Sequence, residues 1–271
     1  MSFSFIHITD HHICDSDQDL LNDGSPNERF RRVLKHIAQH QASSTDFIFS
    51  TGDLVNVASI GSYQRLRKIL GLNRARRQAP GPLLVNAEGL EQFPIYFLPG
   101  NHDDRNYFYE QLFHSPIPAP GPAGVALMNA SFMHKGVQFV CLDWGPNTRA
   151  MILPETLDFL AQALDNDHPS ILMMHHHMTP VGSLWLDRFI AVDVSRFWEL
   201  LEGKDILGIF YGHMHISYEA QPYGIPTFGL RSTAFSFALE DEPQVTLPPA
   251  QYRLVQVTDK GISSQIFEVE S

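Results

Sequence analysis

The sequence predicts an α/β fold in which helices pack against a β-sheet, and three observations predict it. Short, continuously apolar runs such as Phe47-Ile48-Phe49 recur along the chain and read as buried strands. Between them lie segments with apolar residues at helical spacing, clearest at Phe30, Val33, Leu34, Ile37 and Ala38. Five of the apolar runs end in aspartate, asparagine or histidine, and open α/β sheets bind ligands at the carboxyl ends of their strands.

The bulk composition allows this. With 271 residues, 44% hydrophobic and 18% charged, the chain can bury a substantial core, and one domain over residues 1–271 is expected. The net charge of −11 argues against a large nucleic-acid footprint, because an acidic surface repels a polyphosphate. A small anion is still admissible, since a bound cation inverts the field locally. Two cysteines, Cys14 and Cys141, do not make a disulfide framework, so reduced thiols and a cytoplasmic setting are expected. The residues from Met1 to Phe5 show no secretory pattern, and no apolar run reaches membrane-spanning length.

Taken in order, Phe3 to Ile8 reads as a buried strand ending in Thr9-Asp10-His11-His12. A polar loop over 15–25 leads to Ser25-Pro26-Asn27-Glu28, a capping box with proline at the first helical position. Asp46 to Ser50 is a second strand, ending in Thr51-Gly52-Asp53, and Ser62 to Leu70 a helix. Asn73 to Gln92 reads as an exposed excursion, broken by Pro80-Gly81-Pro82, whose Arg74, Arg76 and Arg77 either steer an anionic substrate or are simply solvated. Pro94 to Leu98 is a strand ending in Gly100-Asn101-His102-Asp103-Asp104, and Arg105 to Phe113 a short helix. A proline-rich extended stretch over 115–124 follows. Ala130 to His134 and Val137 to Leu142 form a hairpin through Lys135-Gly136, and Pro154 to Leu164 a helix. Ser170 to Met174 is a strand ending in His175-His176-His177, Val194 to Leu201 a helix, and Asp205 to Phe210 a strand leading to Gly212-His213-Met214-His215. Tyr218 to Phe228, Ala234 to Ala238, Gln251 to Val257 and Ser263 to Val269 read as short antiparallel strands. Trp185, Phe189, Phe197 and Trp198 belong to the core or to an interface between copies in a homo-oligomer.

The unusual polar residues are Asp10 and His12, Asp53, Asn101 and His102, His175, and His213 and His215. A sheet gathers such strand ends on one edge. His-x-His alone is a weak signal, and we take two histidines at i, i+2 on an extended segment to point the same way. Together the set mixes carboxylate, amide and imidazole donors, is too large for one ion, and suits two metals sharing a carboxylate. Cysteine is absent from it, which argues against structural zinc.

These motifs, Asp10-x-His12, Gly52-Asp53, Gly100-Asn101-His102-Asp103, His175 and Gly212-His213-x-His215, resemble in order those of the calcineurin-like metallophosphoesterase superfamily. The resemblance spans residues 7 to 215. It looks closest to the bacterial cyclic nucleotide and glycerophosphodiester phosphodiesterases. It implies a four-layer α/β/β/α sandwich of two mixed β-sheets flanked by helices. It also implies two divalent or trivalent ions (iron, manganese, zinc or cobalt). One would be held by Asp10, His12, Asp53 and His215, the other by Asp53, Asn101, His175 and His213. Asp53 would bridge them and serve catalysis, a bridging hydroxide would attack phosphorus in line, and His102 would face the substrate. Asn56 and Asp103 stand where the protein-phosphatase branch carries Asp and Glu, which argues against that branch. His177-Met178 replaces the prolines usual after the paired histidines. His11 is expected not to ligate, His176 and His177 to be second-sphere or surface residues, and Asn56 and Asp143 either to orient the site or to serve packing.

The expected partner is a small phosphodiester, such as a 3′,5′-cyclic nucleotide or a glycerophosphodiester; a phosphomonoesterase or nuclease is less favoured, and no membrane is expected. A metal-binding scaffold is the non-enzymatic alternative, and all seven filled ligand positions speak against it. Specificity is expected from segments 14–25, 73–92 and 176–190.

Overall fold

The computed structural model describes residues 2–72 and 81–270. The arginine cluster of the predicted excursion lies outside the described residues. Its later part contributes a short strand.

Two six-stranded mixed sheets pack face to face. The first contains β1 (Ser2–Ile8), β2 (Phe47–Ser50), β3 (Leu83–Val85), β4 (Phe93–Phe97), β13 (Ala250–Thr258) and β14 (Gly261–Val269), in the order β14-β13-β1-β2-β4-β3. β1, β2 and β4 run parallel, while β3 and β13 are antiparallel to their neighbours. The second contains β5 (Ala130–His134), β6 (Val137–Leu142), β7 (Ser170–Met174), β8 (Ile206–Tyr211), β9 (Tyr218–Ala220) and β10 (Thr227–Gly229), in the order β5-β6-β7-β8-β10-β9. Here β6, β7, β8 and β10 are parallel. A ribbon of β11 (Ser236–Phe237) and β12 (Val245–Thr246) stands apart.

Side-chain alternation assigns the layers. Phe139 and Cys141 of β6, Ile171 and Met173 of β7 and Phe210 of β8 face the first sheet and share its core with Phe5, Phe47 and Phe49. The Phe5 ring lies 5.4 Å from both Phe139 and Phe210, edge to face. The intervening residues Val140, Leu142, Leu172, Met174, Ile209 and Tyr211 face outward, under α4 (Pro154–Ala163) and α5 (Ser195–Leu201). Strands covered on both faces must be apolar throughout, which is why these runs show no alternation in the sequence. On the outer face of the first sheet, Phe30, Val33, Leu34 and Ile37 of α1 (Pro26–His40) and Tyr63 and Leu66 of α2 (Ile60–Ile69) complete the four-layer α/β/β/α sandwich.

The N-terminus of α1 is capped as the sequence predicts on the Ser25 side, whose hydroxyl accepts from Glu28 N–H. The Glu28 carboxylate instead pairs with Arg32, 3.2 Å away on the next turn. A full capping box forms at α2, between Ser59 and Ser62, where none was predicted. The predicted helix over 105–113 is one α-helical turn, α3 (Arg105–Tyr107), widening into a π-type turn over Phe108–Leu112.

The predicted strand Tyr218 to Phe228 splits at the turn Pro222–Gly224 into β9 and β10, which pair antiparallel with each other as expected, while β10 also joins β8 in parallel. The predicted strand Ala234 to Ala238 is only the two residues of β11. No helix among the described residues is long and apolar enough to cross a membrane.

Candidate metal centre

Every parallel strand that carries a predicted site residue delivers it beyond its carboxyl end, at one rim shared by the two sheets. β1, β2 and β4 of the first sheet lead to Asp10 and His12, to Asp53, and to Asn101 and His102. β7 and β8 of the second lead to His175 and to His213 and His215. The loops are tied to one another by their backbones: Asp10 N–H donates to Gly52 O (3.0 Å), His12 N–H to Asp53 O (3.0 Å) and Gly212 N–H to His175 O (3.0 Å). Two ties cross to carboxylates, His102 N–H to Asp53 Oδ1 (2.8 Å) and His213 N–H to Asp10 Oδ2 (3.0 Å).

The i, i+2 argument from an extended backbone does not hold here. Asp10 (φ 54°), His12 (φ 47°), Asp53 (φ 49°), His213 (φ 68°) and His215 (φ 53°) all lie in the left-handed region. The side chains converge because the backbone coils past the strand end. Such conformations cost non-glycine residues of order 1–3 kcal/mol each and persist where the surroundings impose them. Glycines let the loops touch. A Cβ on Gly52 would lie 2.7 Å from Gly100 N and from His175 Nδ1, and one on Gly100 would fall onto the Asp53 carboxylate.

Two donor groups result. Asp10, His12, Asp53 and His215 form one and Asp53, His175 and His213 the other, each with ligand atoms within 4.8 Å of one another and every member buried. Asp53 belongs to both: Oδ2 lies 3.6 Å from His12 Nε2 and Oδ1 lies 3.4 Å from His175 Nε2. Asn101 Oδ1 joins the second group, 3.1 Å from His175 Nε2. His213 and His215 therefore stand in different groups.

The donor set fits cations. Thr51 O accepts from His175 Nδ1 (2.8 Å) and Phe235 O from His215 Nδ1 (3.0 Å). These carbonyls put the proton on Nδ1 and turn the Nε2 lone pair into the site, the usual support of a metal-binding histidine. His12 Nε2 and His215 Nε2 face each other at 3.1 Å, and His213 Nε2 is buried with no hydrogen-bond partner among the described residues. Two imidazole nitrogens this close and a buried ring nitrogen left over suit a cation between them.

The titration directions agree. Burial opposes ionisation of Asp10 and Asp53, yet His215 beside the first and His175 beside the second outweigh it and hold both carboxyls below the usual range. Burial likewise opposes protonation of His175, but the Asp53 carboxylate overrides it and lifts the imidazole to about 9. His12 is driven down to about 3, chiefly by burial, so it offers a neutral nitrogen.

Other expected roles separate. His11 is held by Ser50 Oγ (2.8 Å) and Thr233 Oγ1 (3.0 Å) and stacks on Phe30, away from both groups, as anticipated for a non-ligand. His176 and His177 are fully buried, which corrects a surface placement: the His176 ring lies 4.8 Å from His213, and its Nε2 donates to Asn147 O (2.8 Å). Asn56 acts through its backbone, its carbonyl accepting from His102 Nδ1 at 2.7 Å. Asp103 ties the Gly52 and Gly100 loops together by accepting from Leu54 N–H and Gly100 N–H, and burial together with the nearby Asp53 raises it to about 6.

Sequence reasoning missed a clamp and a wall. Asp143, noted only as a possible orienter, is paired with Arg105 at 2.6 Å, and the same guanidinium donates to Gly100 O (2.6 Å). Beside the centre is a cleft of about 120 Å³ whose sides are Trp185, Phe189, Phe235, Phe237 and Thr148. Trp185 and Phe189 lie in the segment 176–190 expected to shape specificity, whereas segment 14–25 does not line the cleft. Phe197 and Trp198 are buried in the outer core. Nothing in the sequence joins 148, 185–189 and 235–237, although Phe235 and Phe237 are two apart like the histidines.

A four-layer sandwich carrying a buried carboxylate–histidine cluster at its shared strand rim defines the class of metallo-dependent phosphoester hydrolases. The chain belongs to the calcineurin-like phosphoesterase family, whose model matches residues 3–217. It is 26% identical over 279 residues to the 3′,5′-cyclic adenosine monophosphate phosphodiesterase CpdA of Vibrio vulnificus, covering all of this chain and 91% of that protein. A cAMP/cGMP dual specificity phosphodiesterase of Mycobacterium tuberculosis is 26% identical over 86% of this chain and 68% of its own length. Among solved structures, a dimetal phosphatase from Danio rerio superposes with a TM-score of 0.64 at 11% identity over 99% of both chains. A purple acid phosphatase from yellow lupin superposes with a TM-score of 0.67 at 13% identity, over 99% of this chain and 52% of that one. At these identities the two structures show the fold alone.

Proposed function

We propose that the chain is a dinuclear metal-dependent phosphodiesterase acting on a small diester, a 3′,5′-cyclic nucleotide. The observation that carries the reading is Asp53, whose two oxygens are turned toward two separate donor groups. Asp10, His12, Asp53 and His215 would hold one ion, and Asp53, Asn101, His175 and His213 the other. Bound there, two cations would acidify a water toward neutrality and neutralise phosphoryl oxygens. The substrate class follows the relatives named cyclic nucleotide phosphodiesterases. A polymer is disfavoured by the net charge of −11.

His102 is the residue left for proton work. It is exposed, outside both donor groups, and at the cleft. With Nδ1–H donated to Asn56 O, Nε2 is the ring nitrogen left to hydrogen-bond a phosphoryl oxygen and to act as general acid toward the departing alkoxide. The ring then recovers that proton from solvent.

The test is hydrolysis of 3′,5′-cyclic AMP and bis(p-nitrophenyl) phosphate with added manganese, alongside metal content. His102→Ala should lower kcat by about 10²–10⁴-fold with both ions retained. Asp53→Ala should lose ions and activity together. Wild-type turnover in both variants would overturn the proposal.

A further inference from the structure

The cleft beside the metal centre has two unlike sides. One is the Asp/His cluster. The other is built of rings: Trp185 stands edge to face against Phe237 (centroids 4.9 Å apart) and Phe189 (5.6 Å), and Phe235 against Phe237 (5.6 Å). Phe189, Phe235 and Phe237 are only partly buried and all line the cleft, whereas rings serving the core alone would be covered. Among the described residues, apart from the metal-centre residues and His102, the cleft's polar side chains are Thr148 and the Trp185 indole, and no lysine, arginine or glutamate lines it. Trp185 Nε1, like Trp144 Nε1, is buried with no hydrogen-bond partner among the described residues.

We propose that this aromatic wall is the subsite for the planar base of a nucleotide diester, and that it accepts adenine and guanine alike. The inference rests on the phosphodiesterase reading above and adds what selects the substrate. A cleft of about 120 Å³ cannot enclose a whole nucleotide. With the phosphate over the cluster, the base lies against the rings. Stacking on aromatic side chains is strong for any base, because every base has a π-face. Sharp discrimination needs buried polar groups matched to one base edge, and among the described residues the ring side of the cleft carries few polar groups beside its π-faces.

The test compares kcat and KM of the metal-loaded protein for 3′,5′-cyclic AMP, 3′,5′-cyclic GMP and an abasic ribose 3′,5′-cyclic phosphate. Cyclic AMP and cyclic GMP should have kcat/KM within about threefold of each other and well above the abasic ester. In Trp185→Leu the advantage of both nucleotides over the abasic ester should shrink about tenfold, through KM. Phe189→Leu, at a partly exposed ring, should do the same and serves if Trp185→Leu does not fold. Equal losses on all three substrates, no loss on any, or a preference above about 100-fold between the two purines would overturn the subsite. Hydrolysis of the abasic ester but of neither nucleotide would overturn the subsite and leave the phosphodiesterase reading standing. Failure on all three would overturn both.

Discussion

Replacing Arg105 by methionine removes a cation that touches no predicted metal ligand side chain, yet the structure predicts a large loss. Arg105 and Asp143 are 3% and 0% exposed. The guanidinium makes five hydrogen bonds, two to Asp143 and one each to Gly100 O, Asp103 O and Gly145 O. At about 1.5–3 kcal/mol for each charged bond the gross figure is large, but desolvation of both ions offsets most of it. Removing one partner of a buried pair costs about 3–5 kcal/mol, because the other charge is left uncompensated. In a chain of this size that lowers Tm by roughly 10 °C. Asp143 also sets a pH signature. Burial alone would raise its carboxyl, but Arg105 outweighs burial and holds it below the usual range. A carboxyl lowered on folding contributes stability that is full above its unfolded value, about 3.9, and fades as pH falls through the folded value. Urea unfolding of wild type and Asp143→Asn should therefore differ most near neutral pH, and the two should converge below about pH 4. Arg105→Met with Asp143→Leu should be less destabilised than either single variant. A single-variant cost under about 1 kcal/mol, or a gap that widens on acidification, would refute the reasoning.

Three further outcomes follow from the centre. Asp53→Ala should lose both ions by elemental analysis, whereas His12→Ala and His175→Ala should each lose chiefly one. Gly212→Ala should fold poorly or bind metal weakly, since its Cβ would collide with Thr9 Oγ1 and the Asp10 carboxylate; circular dichroism and metal content read this. Chelation should lower Tm by several degrees, since each ion lost removes about RT ln(1 + [L]/Kd) of stability, and re-addition of manganese should restore it.

The donors were legible in the sequence because each is local: a strand, then Asp, Asn or His within a few residues, with a glycine between them at Gly52, Gly100 and Gly212. The two-sheet sandwich was legible only through the family resemblance, since continuous apolar runs do not say which sheet a strand joins. The left-handed backbone at Asp10, His12, Asp53, His213 and His215 was not legible, because aspartate and histidine carry no mark of φ as glycine does. Arg105 and Asp143 are far apart in the chain and meet only in three dimensions. The parallel pairing of β10 was masked by the turn at Pro222–Gly224, which reads like that of a hairpin.

One pairing in the first sheet bears on how the molecule is made. β1 lies between β2 and β13, and its register with β13 sets Phe5 opposite Val255, about 250 residues away along the chain. During synthesis β1 can pair with β2 early, but its other edge waits for nearly the whole polypeptide. An open edge carrying Phe3, Phe5, Ile6 and Ile8 invites pairing with another chain. The Asp10-x-His12 loop hangs from that strand; its backbone ties to the Gly52-Asp53 loop form early, but the tie from His213 N–H to Asp10 waits for β8. Folding yield should therefore depend on how quickly the C-terminal hairpin of β13 and β14 arrives, and slow synthesis through that region would favour aggregation over assembly.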